Sequence, residues 1–267
     1  LVSPRVGAVV LAGGRASAGL AALGGNEIKA LADIHGRPMI HYVWEALGQA
    51  GTVTDVMLVS DEPVRLALGV PQEAWRPCGS DPVDNIVTGA EALPEAVDQV
   101  LIVSCDTPLV RPDGLDWFVR ASLDSGAALC YSVLDQRTCV GPFAGVRKTW
   151  VRVREGTMAG GNLALVSRPF LVNQQARIRQ AFELRKSPLA LAMRLGITFA
   201  LSVVLGRVLP IRVRIAVVEQ RAQRLLGCDV RALVLPWPEL GIDVDKPEDL
   251  EFVRALLAPR PPGATGA

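Results

Sequence analysis

Two glycines closing an apolar strand, one lysine and a few dispersed aspartates are the residues of this chain best suited to hold a phosphate and a metal. The segment Val9 to Arg15 reads VVLAGGR, and Lys29 opens KALADIHGRPMI fourteen residues beyond the arginine. A β-branched run that stops at Gly13 and Gly14 lets the backbone turn with positive φ and present bare N–H groups to an anion, because no Cβ intervenes. Asp106 lies in SCDTPLV, just past the carboxyl end of a predicted strand, where open α/β sheets bind ligands. The stretch GIDVDKPEDLE adds Asp243 and Asp245 ahead of the last predicted helix. Carboxylates from separate loops can chelate Mg2+ while leaving sites for phosphate oxygens and water, so Asp106 and Asp243 are expected to clamp one ion. Each also has a plainer role: Asp106 as a turn residue before Pro108, Asp245 as the cap of the last helix.

The elements that must position these groups show in the hydrophobic pattern. Val6 to Leu11, Asp55 to Ser60, Gln99 to Ser104, Ala127 to Leu134, Asn162 to Ser167 and Val230 to Leu235 are predicted strands. Helices are predicted over Pro38 to Ala50, Pro82 to Leu93, Pro112 to Leu123 and Pro247 to Leu257, each opening on a proline tolerated in a first turn. Asp81 is a good N-cap for the second of these, and Glu248 and Asp249 complement the dipole of the last. Such alternation predicts an α/β protein with a largely parallel sheet covered by helices. Residues 1–258 are expected to form one domain, with 170–227 as a basic, amphipathic helical insertion and 259–267 (RPPGATGA within it) as a disordered tail. The insertion suits an acceptor lid, a subunit contact in a homo-oligomer, or a solvated cover for the sheet.

Half of the 267 residues are hydrophobic, enough for a substantial core. Lys and Arg total 28 against 27 Asp and Glu, which leaves no global field to hold nucleic acid. Cys78, Cys105, Cys130, Cys139 and Cys228 form no CxxC pair and read as reduced thiols of a cytoplasmic protein. The apolar run from Val6 to Ala12 is too short for a spanning helix and is followed by no small-residue cleavage pattern, so no signal peptide is expected. Arg194, Arg207 and Pro210 interrupt the apolar stretch from Leu189 to Ile211, so no membrane span is expected there. His35, His41 and Arg37 receive no role.

Taken together, LAGG at Leu11 to Gly14, the Lys29 segment, DNI at Asp84 to Ile86, SCDTPLV around Asp106, GGNLALV from Gly160 and DVDKPEDL resemble the MobA-like NTP transferases, nucleotidylyltransferases of the molybdenum cofactor type. The resemblance implies a Rossmann-like three-layer α/β/α fold with a mostly parallel mixed sheet. It implies Mg2+-dependent transfer of an NMP from an NTP to a phosphate-bearing small-molecule acceptor, with release of pyrophosphate. By the same resemblance Leu11, Ala12, Gly13, Gly14 and Asn85 would bind the nucleotide, and Gly160, Gly161 and Asn162 the acceptor. Lys29 would contact phosphate, and Asp106 and Asp243 would hold the metal.

One departure stands out. The family loop carries an arginine four residues after the second glycine, and here that position is Ala18. Losing a charge-assisted phosphate contact costs on the order of 2 kcal/mol of transition-state stabilisation unless something replaces it. Arg15 either supplies that charge as a catalytic group or is a solvated loop residue, and the Ala- and Gly-rich segment from Ala16 to Gly25 reads as a loop mobile without ligand. Two alternatives to the transferase remain: a nucleotide-sugar-dependent glycosyltransferase, suggested by the DxD string Asp243 to Asp245, and a catalytically silent nucleotide-binding protein, suggested by the missing arginine. The identity of the base and of the acceptor stays open.

Overall fold

The computed structural model describes residues 4–184 and 213–258. The expected tail (259–267), the middle of the expected insertion and with it the whole apolar stretch from Leu189 to Ile211 lie outside the described residues. The chain order is β1 (Val6–Ala12), α1 (Ala18–Gly24), β2 (Asp33–Ile34), β3 (Arg37–Pro38), α2 (Met39–Gln49), β4 (Asp55–Ser60), α3 (Glu62–Leu68), β5 (Trp75–Pro77) and α4 (Pro82–Ala92). It continues with β6 (Gln99–Ser104), α5 (Pro112–Ser125), β7 (Leu129–Asp135), β8 (Val151–Arg152), β9 (Thr157–Ser167), α6 (Arg168–Asn173), α7 (Gln175–Leu184), α8 (Ile215–Leu226), β10 (Val230–Leu235) and α9 (Pro247–Leu256).

The main sheet runs β10-β7-β9-β6-β1-β4-β5, with β8 paired to β9 at one end. Its long ladders are parallel except those of β9, which runs antiparallel to both β6 and β7. The sheet is therefore mixed but mostly parallel, as expected. Strand β1 is buried on both faces, and its side chains alternate between two cores. Ala8, Val10 and Ala12 pack with Ile40 and Leu47 of α2 and Phe118 of α5. Val9 packs with Ile86 and Ala90 of α4 on the other face. Two helical layers on a central sheet follow directly from that period of two.

A third cluster joins Leu20 of α1 to Leu250 and Val253 of α9, with Ile242 and Val244 between them. It corrects the expectation of a mobile loop over Ala16 to Gly25. Ser17 caps α1 by accepting from the Leu20 amide at 3.4 Å, and Gly25 ends it in the left-handed conformation at φ 70°. The single buried side chain of Leu20 anchors a helix whose alanines and glycines carry no period that a sequence reading can use. The remaining expected strands and helices form within a few residues of their predicted ends. β5 and α3 had no counterpart in the expectation, because Trp75–Pro77 is three residues long and α3 has only Val64 buried.

Candidate active site

The parallel strands β1, β4, β5 and β6 all end at one edge of the sheet, and the loops that follow them meet there. Ala12 and the partly exposed Leu11 are still inside β1, so Gly13 and Gly14 form the turn, but neither takes the positive φ that the sequence suggested, and what requires glycine here is close approach. A Cβ on Gly13 would lie 2.6 Å from the Cys78 sulfur, so only glycine lets the first loop approach the loop after β5. Gly14 accepts a hydrogen bond from the Lys29 amide at 3.0 Å, and Ala16 donates to the Glu27 carbonyl at 2.8 Å. The lysine is thereby carried back beside the glycine turn.

The Lys29 ammonium donates to Asp106 Oδ2 at 2.5 Å and also to Asp245. Burial alone pulls this ammonium down, yet the Asp106 charge and hydrogen bond, reinforced by Asp245, carry it above its ordinary value. It is charged throughout the physiological range. Asp106 Oδ1 is buried and has no hydrogen-bond partner. That is an uncompensated acceptor beside an ammonium, with capacity for a further cation or donor.

Capping is the plainer role open to Asp245, and the structure gives that work to Asp249, whose carboxylate accepts from the Asp245 and Lys246 amides at 3.1 and 2.9 Å. Val244 lies fully buried between Asp243 and Asp245, and its amide donates to the Asp106 carbonyl at 2.9 Å. Around that buried anchor the two aspartates diverge: Asp245 turns to Lys29, and Asp243 accepts from the Lys148 ammonium at 2.6 Å. Burial pushes the Asp243 carboxyl up, Lys148 pulls it back, and the neighbouring Asp106 and Asp245 charges raise it again. The expected pair was Asp106 with Asp243, whereas the residue sharing a cation with Asp106 is Asp245. Sequence reasoning missed Lys148 altogether, and its position in RKTW carries no signal.

Gly160, Gly161 and Asn162 line a cavity of about 430 Å³ together with Lys148, Asp243 and Asp245. The glycines are there because β9 bulges against β7: the Tyr131 hydroxyl donates to the Gly161 carbonyl at 2.6 Å, and a Cβ on Gly161 would collide with Ser132. The Asn162 amide donates to the Gly241 carbonyl at 3.3 Å, tying β9 to the segment that carries Asp243.

Two expected residues stand apart from this group. Arg15 is largely exposed and pairs with Asp61 at 3.6 Å, at the lip of the glycine turn. Asn85 spends both ends of its amide on Gly79, accepting from its N–H at 2.7 Å and donating to its carbonyl at 3.0 Å. It shapes the loop beside Cys78 through those bonds. His35 and His41 spend a ring nitrogen on the Arg254 and Ala67 carbonyls, at 2.7 and 3.3 Å.

A family model described as the MobA-like NTP transferase domain matches residues 8–188. The chain belongs to that family. A solved structure of a hypothetical transferase from Thermus thermophilus is 36% identical, with a TM-score of 0.77 over 92% of this chain and 99% of that one. Among curated family relatives, 2-C-methyl-D-erythritol 4-phosphate cytidylyltransferase of Frankia casuarinae is 31% identical over 134 residues, 48% of this chain. The chain spans about half of that protein's length, 48%. A 3-deoxy-manno-octulosonate cytidylyltransferase of Anaeromyxobacter is 28% identical over 240 residues, covering 86% of this chain and 91% of the relative. Among the described residues no helix is long and apolar enough to cross a membrane.

Proposed function

We propose that this protein is a nucleotidylyltransferase that moves an NMP from an NTP to a phosphate-bearing small molecule and releases pyrophosphate. The observation that carries the proposal is the meeting of Lys29, Asp106 and Asp245 beside the glycine turn. An oxygen of the acceptor phosphate attacks the α-phosphorus, and the bond from the α-phosphorus to the bridging oxygen breaks as pyrophosphate leaves. Because two anions are brought together, positioning and charge neutralisation carry the catalysis, and no side-chain nucleophile is needed. The amides of Gly13 and Gly14 cradle the triphosphate, and the Lys29 ammonium turns from its two carboxylates to a phosphate oxygen. The cavity lined by Gly160, Gly161, Asn162 and Lys148 is the space left for the acceptor.

Magnesium fits this residue set. Asp106 offers a buried oxygen with no partner, Asp245 meets the same Lys29 ammonium as Asp106, and carboxylate oxygens are the donors Mg2+ prefers. Among the described residues no preformed cluster of three or more metal-ligating side chains exists, so phosphate oxygens would complete the shell. The ion would neutralise triphosphate charge; Asp106 and Asp245 would hold it, with Asp243 behind them. The glycosyltransferase alternative drew on a DxD string whose two carboxylates here face different lysines. Five free thiols suit a reducing compartment such as the cytoplasm.

CTP is the first donor to try, since most of the similar curated proteins are named as cytidylyltransferases. Each of the four NTPs is incubated with Mg2+ and a panel of sugar and polyol phosphates, and pyrophosphate release is followed. Release is expected with at least one pair and is lost in Lys29→Met and Asp106→Asn. Unchanged turnover in both variants sinks the assignment, and tight NTP binding without turnover on any acceptor favours the silent nucleotide-binding protein.

A further inference from the structure

The loop after β5 lies against the glycine turn, where a Cβ on Gly13 would meet Cys78, and Asn85 holds Gly79 by both of its backbone groups, so in the nucleotidylyltransferase reading this loop is one wall of the nucleotide cleft. This wall continues into α4, whose N-cap Asp81 accepts from the Val83 and Asp84 amides at 2.7 and 3.1 Å. Two carboxylates, Asp81 and Asp84, therefore flank the first turn of the helix that carries Asn85. Left alone they would repel a triphosphate and leave the turn without a lateral tie.

A single side chain from far along the chain answers both needs. Arg179, in the middle of α7, pairs with Asp81 at 3.0 Å and with Asp84. Ile178 beside it is partly buried against the core shared by α4, β1 and β4, so the helix that carries the arginine packs alongside α4 and does not merely brush the surface. A planar guanidinium bridging two carboxylates fixes their separation as well as their charge.

Resting on the nucleotidylyltransferase reading, we propose that Arg179 is a positioning residue for nucleotide selection: it clamps Asp81 and Asp84, and through Asn85 sets the Gly79 wall against which the base is read. A helix from the C-terminal half thereby takes part in choosing the donor, although it touches neither the glycine turn nor the Lys29 cluster.

The test needs no knowledge of the acceptor. ATP, CTP, GTP and UTP are titrated calorimetrically with Mg2+ into the wild-type chain, Arg179→Gln and Arg179→Lys, after circular dichroism has confirmed that the variants are folded. The glutamine variant is expected to bind the preferred NTP about fivefold more weakly and to lose most of its base discrimination, with the lysine variant recovering part of both. A surface ion pair of purely structural value would lower the melting temperature and leave the ratio among the four bases unchanged. Wild-type affinity and base ranking in Arg179→Gln overturn the proposal while leaving the nucleotidylyltransferase reading intact. Failure of the wild-type chain to bind any of the four overturns both.

Discussion

Lys29 and Lys148 sit in one acidic cluster but have different surroundings, and the difference predicts different failures. Lys29 is poised between Asp106 and Asp245, the second of which is well exposed, so its ion pairs can open when a phosphate competes for the ammonium. Lys29→Met is expected to lower kcat/KM for the NTP by about 10²- to 10³-fold, read in the pyrophosphate assay. From neutral pH upward its effect on stability should be flat until strongly alkaline solution. A raised ammonium contributes its stability below the unfolded value near 10.4 and loses it only as pH climbs through the folded one. Lys148 instead compensates a carboxylate that burial already disfavours. Removing it with Lys148→Met should cost about 2 kcal/mol in urea unfolding at neutral pH, most of it the penalty for an unpaired desolvated charge. Because the Asp243 carboxyl is raised, lowering the pH protonates it and the deficit should shrink. A deficit that is constant or grows toward acid contradicts this account.

At the scale of elements, close approach decides more than propensity does. Gly89 faces the sheet from α4, and a Cβ there would lie 2.5 Å from a Val9 methyl and 2.9 Å from one of Val59. Gly89→Ala gains up to about 1 kcal/mol of helix propensity but overpacks the core at a cost of roughly 1–3 kcal/mol, so a net loss is expected on denaturant titration. A second junction ties α5 to the turn after α2. The Asp116 carboxylate accepts from the Thr52 amide at 2.8 Å, the Thr52 hydroxyl at 2.7 Å and the Gly51 amide at 3.2 Å. Burial raises this carboxyl, but those donors outweigh it and hold it below the usual range. Its contribution is thus present above the unfolded value near 3.9 and lost as pH falls through the folded one. Asp116→Ala should lose about 1–3 kcal/mol at neutral pH, with a shallower decline toward acid than the parent chain. Strands β1, β4 and β6 were legible because a doubly buried strand is a continuous apolar run bounded by turn residues. Helix α1 was not, since Leu20 is its one large buried side chain and Leu250 and Val253 that receive it are more than two hundred residues away.

Across the whole molecule, ligand binding at one sheet edge should be felt by groups that only the fold brings together. Cys78 lies against the glycine turn, and burial and Asp61 both raise its thiol, so it should react slowly with an alkylating reagent. Saturating NTP with Mg2+ is expected to raise the melting temperature and to slow that alkylation further, whereas Cys105 and Cys130, both buried, should stay unreactive until unfolding. Mass spectrometry of labelled peptides checks the order, and labelling of Cys78 at the same rate with and without NTP places the nucleotide elsewhere.

By itself the sequence determined the layered α/β architecture and singled out the glycine turn, Lys29 and Asp106, which the fold brings together. Periodicity and strand ends are local properties, written in neighbouring residues. Which aspartate would meet that lysine was a different kind of question. Asp243 and Asp245 are two residues apart in one extended segment, and burial of Val244 between them turns one toward Lys29 and the other toward Lys148. Only the packed structure decided that, as it decided that Arg179 reaches Asp81 and Asp84, because the orientation of a side chain at a loop is set by what the rest of the core leaves it to face.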